Sequence, residues 1–394
     1  MGKIDDLIKE LCPDGVKLKE LGQLAKILNG YAFKSKKYSQ DGIRVIRISD
    51  VQKGRLSDKD IKYYPLELKS EISKYLLSEN DLVMSLTGNV GRVAMITKNA
   101  LPAGLNQRVA CIRPGEKILT RYLFHFFDQD AFEKAVFDSA TGGGQKNMST
   151  VWLSKFPIPV PPLEGQKEIV RVLDSFTELE AELEAELEAR KKQYEYYRNT
   201  LLMFNERERV EYVQIGDICN ISRGRVMSKS YLIDNAGDYP VYSSQTANNG
   251  VFGYISTYDY DKESITWTTD GANAGSVFYH NNEEFSITNV CGLLMPKRKQ
   301  VKVKYLYYIL QITLKKYVNS GMGNPKLMSN TISKVKIPLP SLEKQKHIVS
   351  ILDKFEKLTN DISIGLPAEI EARRKQYEYY RNKLLTFKEL ECSK

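Results

Sequence analysis

The segment Glu188-Ala-Arg-Lys-Lys-Gln-Tyr-Glu-Tyr-Tyr-Arg-Asn199 returns as Glu371-Ala-Arg-Arg-Lys-Gln-Tyr-Glu-Tyr-Tyr-Arg-Asn382, with eleven of twelve positions identical. Upstream, Ile158-Pro-Val-Pro-Pro-Leu-Glu-Gly-Gln-Lys-Glu-Ile-Val170 pairs with Ile337-Pro-Leu-Pro-Ser-Leu-Glu-Lys-Gln-Lys-His-Ile-Val349. Self-similarity of this extent makes the chain two copies of one structural unit. Its 394 residues leave room for two or three domains.

The copies are not in strict register. Pro159 and Pro338 are 179 positions apart but Glu188 and Glu371 are 183 apart, so the second copy carries four extra residues between these landmarks. Four residues are about one helical turn, the insertion that a coiled coil absorbs by local unwinding. In the first copy Leu173, Phe176, Leu183, Leu187, Tyr194, Tyr197, Leu201 and Phe204 follow a three-four spacing. Leu352, Phe355, Ile362, Leu366, Ile370, Tyr377, Tyr380, Leu384 and Phe387 do the same in the second. Each copy therefore ends in a long helix with one apolar seam. Pro157, Pro159, Pro161 and Pro162 hold an extended approach, because proline disfavours helix at the residue before it. The first helix is expected from about Glu164–Gln166 to Phe204, a rod on the order of 60 Å. Its acidic residues precede its basic ones, as the helix dipole favours. Gly365 and Pro367 predict a kink in the second helix.

The stretches before the helices read as mostly strands and turns. Short alternating runs such as Ile43-Arg-Val-Ile-Arg-Ile48 and Ser264-Ile-Thr-Trp-Thr268 are broken by Gly, Asn and Asp. Their openings are alike, and beyond them the two stretches diverge almost completely in sequence. The expected organisation is α+β: globular domains over 1–156 and 207–335, alternating with repeat helices over 157–206 and 336–394 in a pseudo-twofold internal repeat.

Polar, amide-rich loops stand out within the globular domains. The first holds Thr87, Asn89, Arg92, Asn106, Gln107, Arg108, Gln145, Lys146 and Asn147; the second holds Gln245, Thr246, Asn248, Asn249, Thr269, Asn273, Asn289, Asn324 and Lys326. Asn and Gln pair bidentately with adenine, and Arg and Lys with guanine, while glycine lets backbone approach phosphate. Lys and Arg total 58 against 49 Asp and Glu, a net charge of +9 that favours a polyanionic partner.

Several chemistries lack their motifs. Thr87-Gly-Asn-Val-Gly91 and Gly321-Met-Gly323 fit neither the dinucleotide nor the P-loop pattern. No Asn/Asp-Pro-Pro-Tyr/Phe run is present to hold a target base. His125, His280 and His347 stand in no nucleophile or metal constellation, and surface or packing roles are expected for them. Cys12, Cys111, Cys219, Cys291 and Cys392 are odd in number and scattered, suggesting neither disulfides nor zinc. No apolar run approaches the ~20 residues of a membrane helix. The start, Met1-Gly-Lys-Ile-Asp-Asp6, lacks a secretion-signal layout, so a cytoplasmic address is expected.

Two divergent domains alternating with two similar helices, each entered through Ile-Pro-x-Pro-[Pro/Ser]-Leu-Glu-x-Gln-Lys, resemble the specificity subunit of type I restriction-modification systems. Gly88-Asn-Val-Gly-Arg-Val-Ala94, Leu105-Asn-Gln107 and Gly144-Gln-Lys-Asn147 are also similar to motifs of that family. The resemblance implies two target recognition domains, each reading one half of an asymmetric, bipartite site in double-stranded DNA. It implies helices packed as an antiparallel coiled coil through Leu173, Phe176, Leu183, Leu187, Tyr194, Tyr197, Leu201, Leu352, Phe355, Ile362, Tyr377, Tyr380 and Leu384. It also implies docking of two methylation subunits that bring S-adenosylmethionine, with a restriction subunit as motor and nuclease, and no cofactor or catalysis in this chain. The alternative is a coiled-coil assembly scaffold that makes no direct contact with DNA. A fused enzyme that itself methylates or cuts is disfavoured by the missing motifs.

Overall fold

The computed structural model describes residues 10, 12–13, 15–140, 146–205, 208–297, 299–321, 323–361 and 363–388. Gln145, Ile362 and Cys392 lie outside the described residues. The chain divides into two compact units, Met1–Glu184 with Glu369–Lys394, and Ala185–Ala368. Helix segments thus belong to both units, and the first unit is discontinuous in sequence.

In the first unit, chain order gives β1 (Leu18–Glu20), α1 (Leu21–Leu24), β2 (Ala25–Asn29), β3 (Ile43–Ile46), β4 (Tyr63–Tyr64), β5 (Leu82–Ser85), β6 (Val93–Met95), β7 (Ala103–Leu105) and β8 (Val109–Pro114). Helices α2 (Thr120–Phe127), α3 (Asp130–Ser139) and α4 (Thr150–Lys155) and strand β9 (Pro157–Pro159) follow. Strands β2-β8-β5-β6 form one antiparallel sheet and β4-β3-β7 a second, in which β3 and β7 are parallel. Alternation explains the continuous apolar runs. Leu82, Met84, Ala110 and Ile112 face one core with α2, while Val83, Val109 and Cys111 face another with Ile46, Ala103 and Leu105.

The first repeat helix, α5, runs over Leu163–Leu202 and passes from the first unit into the second. The second unit continues with β10 (Glu211–Gln214), α6 (Ile215–Ile218), β11 (Cys219–Arg223), α7 (Lys229–Asp234), β12 (Tyr239–Tyr242), β13 (Val251–Ile255), β14 (Ser264–Thr268), β15 (Val277–His280), β16 (Ser286–Ile287) and β17 (Cys291–Pro296). Then come α8 (Val303–Thr313), α9 (Ser329–Lys334), β18 (Lys336–Leu339) and α10 (Leu342–Asn360); α11 (Leu366–Leu384) completes the first unit from residue 369 on. Sheet orders β11-β17-β14-β15 and β13-β12-β16 repeat those of the first unit. Domains that diverge in sequence therefore share one topology. They are also more helical than strands and turns alone: the apolar faces of α2 and α8 fill the cores behind β5 and β14.

Each unit pairs two helix segments antiparallel. In the first, Phe176 stacks on Tyr380 with ring centroids 5.2 Å apart, and Arg374 donates to Glu180. In the second, Tyr197 stacks on Phe355 at 5.5 Å, and Lys344 pairs with Glu208. The first half of α5 thus meets α11, and its second half meets α10. Leu173, Leu352 and Leu384 are buried in these contacts, Tyr194 and Tyr377 nearly so, and Leu183, Leu187 and Leu201 are half-buried. Leu202 is the more buried of the pair at the end of α5.

The second repeat helix does not merely kink; it is broken into α10 and α11. Asp361 accepts backbone N–H bonds from Ser363 (2.8 Å) and Ile364 (3.3 Å), which ends α10, and Pro367 falls in the first turn of α11, where its missing N–H costs nothing. A Cβ at Gly365 would lie 2.5 Å from the Lys357 carbonyl oxygen, so the close approach at this break needs glycine.

Candidate nucleic-acid interface

Three loops converge at one end of the first unit, zipped by backbone bonds. The β5–β6 turn gives Leu86 N–H to Arg108 O (3.0 Å) and Gly88 N–H to Lys146 O (2.9 Å), and Met148 N–H returns to Leu86 O (2.8 Å). The β7–β8 loop is anchored by Asn106 N–H to Ile46 O (3.2 Å) and Gln107 N–H to Tyr31 O (2.9 Å). Gly88 has φ +75° with open space where a Cβ would stand, which keeps the turn's outer edge bare. Asn89, Gln107, Arg108 and Asn147 are exposed, and Arg92, Asn106 and Lys146 half-buried.

The second unit repeats the frame with other side chains. Gly271 N–H reaches Pro325 O (3.0 Å), Leu327 N–H reaches Thr269 O (2.7 Å), and the backbone at Asp270 pairs antiparallel with that at Lys326 as the backbone at Thr87 does with that at Asn147. These bonds make Thr87 and Asp270, Gly88 and Gly271, Asn147 and Lys326 equivalent positions. Thr246, Asn248, Asn249, Asn273, Asn289, Asn324 and Lys326 are exposed around this frame. Asn248 and Asn249 sit at φ +50° and +53°, a conformation asparagine tolerates better than most residues.

Some expected reading residues are committed elsewhere. Thr269 is fully buried: its hydroxyl donates to Val290 O at 2.8 Å and accepts from Arg223 Nη2 at 3.1 Å, so it builds the loop and cannot reach a base. Thr87 is buried at 9% exposure and also serves the frame. Gln245 donates its amide to Val251 O, which leaves that loop braced from within. Arg92 Nη1 donates to Gln52 Oε1 at 2.8 Å, Asn273 to Thr246 Oγ1 at 2.9 Å, and Lys146 lies 4.1 Å over the Phe137 ring. Asp270 and Ser244 escape a reading that looks for amides and cations, and Gln52 and Arg223 stand outside the loops it singles out, because only the folded frame brings them there. The Asp270–Gly271 dipeptide, matching Thr87–Gly88, was the available signal.

The packing histidines have defined partners. His125 is fully buried, with Nε2 2.7 Å from Asp174 Oδ1 and Nδ1 2.9 Å from the Tyr377 hydroxyl. Burial lowers its pKa, and the neutral tautomer satisfies both contacts: Nε2–H donates and Nδ1 accepts. His280 lies between Thr266 and Glu283 at 2.8 and 2.9 Å, and the bond from His280 holds the Glu283 carboxyl below its usual range. Burial pushes the Cys219 and Cys291 thiols up to about 12, so neither is a nucleophile at neutral pH. Among the described residues, no His/Cys/Asp/Glu group suits a metal ion, and no helix is long and apolar enough to cross a membrane.

The sequence profile of the type I restriction modification DNA specificity domain matches residues 13–189 and again 207–372. A protein of Mycoplasma pneumoniae named as a type I specificity subunit is 42% identical over 242 residues, 60% of this chain and 98% of its own length. A type I restriction enzyme specificity subunit of Haemophilus influenzae is 35% identical over 301 residues, 72% of this chain and 76% of its own. The crystal structure of an S subunit from M. genitalium superposes with a TM-score of 0.61 at 16% identity, covering 94% of this chain and 96% of that one. With a doubled frame, two unlike sets of loop side chains and a profile matched twice, the chain belongs to the DNA specificity subunits of type I restriction-modification systems, the non-catalytic component that selects sequence.

Proposed function

We propose that each unit reads one half of an asymmetric, two-part site in duplex DNA through its own set of converged loops. The observation that carries this reading is the equivalence of loop positions on one shared frame: Thr87, Gly88 and Asn147 in one unit stand where Asp270, Gly271 and Lys326 stand in the other. One backbone scaffold with two sets of donors and acceptors reads two different base sequences. Because both readers sit in one chain, the halves are free of the palindromy that a symmetric dimer imposes. Asn89, Asn106, Gln107, Arg108 and Asn147 are the reading candidates of the first unit; Asn248, Asn249, Asn289, Asn324 and Lys326 are those of the second. Arg92, Lys146, Thr246 and Asn273 contribute through their present partners or after exchanging them.

The helices and neighbouring faces would dock two methylation subunits, which carry S-adenosylmethionine and methylate adenine, and the restriction subunits would join that complex. Bound phosphates would give the complex a steep salt dependence, whereas an assembly scaffold without DNA contact would show no sequence-selective retention. Mapping methylated adenines across a genome with and without this gene tests the reading. A two-part motif that vanishes with the gene is expected; an unchanged methylation pattern would overturn it.

A further inference from the structure

Asp270 is an anomaly on a surface meant for a polyanion. It occupies the frame position that neutral Thr87 holds in the first unit, half-buried among loops of exposed amides. Among the described residues it forms no ion pair. Its Oδ1 accepts from Ser244 Oγ at 2.9 Å and lies 3.3 Å from Thr269 Oγ1, while its Oδ2 has no hydrogen-bond partner among the described residues. Ser244 is itself fixed, since its Oγ accepts Thr269 N–H at 3.2 Å. The carboxylate is therefore held through Oδ1, with Oδ2 left to accept a further bond, beside Gly271 at φ +92°, where a Cβ would meet nothing within 4 Å.

A carboxylate can only accept hydrogen bonds and is repelled by phosphate. In the major groove only cytosine N4 and adenine N6 donate. Adenine places its N7 acceptor beside that amino group, which opposes a carboxylate; cytosine places a C–H there. We propose that Asp270 is a specificity-determining residue of the second recognition domain, its Oδ2 accepting from the N4 amino group of a cytosine in the major groove. This rests on the reading of the loops as a DNA interface.

The test uses the full chain assembled with its methylation subunits and a library of duplexes randomised over the second half-site. The unaltered complex is expected to require a G·C pair at one position, and both Asp270→Asn and Asp270→Thr are expected to relax that requirement roughly 5- to 150-fold. First half-site preference and thermal melting report that each variant is folded. A duplex in which that cytosine is replaced by 2-pyrimidinone, which lacks the amino group, should weaken the unaltered complex by the same factor and add no further loss to Asp270→Thr. The proposal is overturned if both variants keep every preference of the second half-site, or if the relaxed position is an A·T pair. If the unaltered complex selects no sequence at all, the DNA reading itself fails, and the two failures are thereby distinguished.

Discussion

Gln166 and Gln345 show why one residue type recurs at the start of both repeat helices. Each is buried, and each takes one backbone N–H (Leu119 at 2.9 Å, Lys302 at 2.9 Å) on its side-chain oxygen while donating its amide to two carbonyls. Tyr122 and Tyr305 likewise donate to Pro159 O and Pro338 O at 3.0 and 2.8 Å. Replacing Gln166 by Leu takes the partner from three backbone groups, the Leu119 N–H and the Lys117 and Pro161 carbonyls, and a loss of about 1–3 kcal/mol is expected in a chemical melt. His125 gives the first unit a pH response. Its folded pKa lies below the unfolded value of about 6.5, so its contribution is complete above that pH and is lost as pH falls through the folded value. Thermal melts from pH 7.5 to 5 should show the first unit weakening in acid, and His125→Gln should flatten that slope; an unchanged slope would assign it to other groups. Among the loop residues, Arg108 is exposed with no side-chain partner among the described residues. Arg108→Ala is expected to cost about 1–3 kcal/mol in binding and relax the first half-site alone, as read by competition with altered duplexes.

At the scale of elements, the two stacked pairs Phe176–Tyr380 and Phe355–Tyr197 are one contact made twice. Phe176→Ala should destabilise the first unit and Phe355→Ala the second, each by about 2–4 kcal/mol because both rings are only partly buried. Hydrogen exchange, which resolves the units, would show the loss confined to one unit per variant. The helices were legible in sequence because a three-four apolar spacing, a proline-rich entry and an extended twelve-residue repeat all act locally. Their break at Asp361–Pro367 was only half legible: glycine and proline marked the place, but Asp361 ending α10 depends on folded geometry. The shared strand order of the two globular domains was illegible, because buried strands need only apolar residues on both faces. Ile265-Thr-Trp267 in one domain and Leu82-Val-Met84 at the equivalent positions of the other are buried alike, Thr266 with its hydroxyl bonded to His280. The loops announced their polarity, yet Thr269 and Thr87 are buried and Asp270 only half so, a distinction set by bonds between loops far apart in sequence.

For the whole molecule, the decisive fact is that the first unit is completed by residues 369–394 from the far end of the chain. A chain ending at residue 360 would lose Tyr377, Tyr380, Arg381 and Leu384 from the first core, and proteolysis of such a truncation should cut the first unit while sparing the second. The central claim is that two unlike readers on one frame each specify half of a site. Replacing residues 207–335 with the corresponding domain of a specificity subunit that has a different target, then mapping methylated adenines, tests it most directly. The account predicts a two-part motif whose first half is retained and whose second half becomes that of the donor. A motif that stays unchanged, or one in which both halves change together, would contradict it.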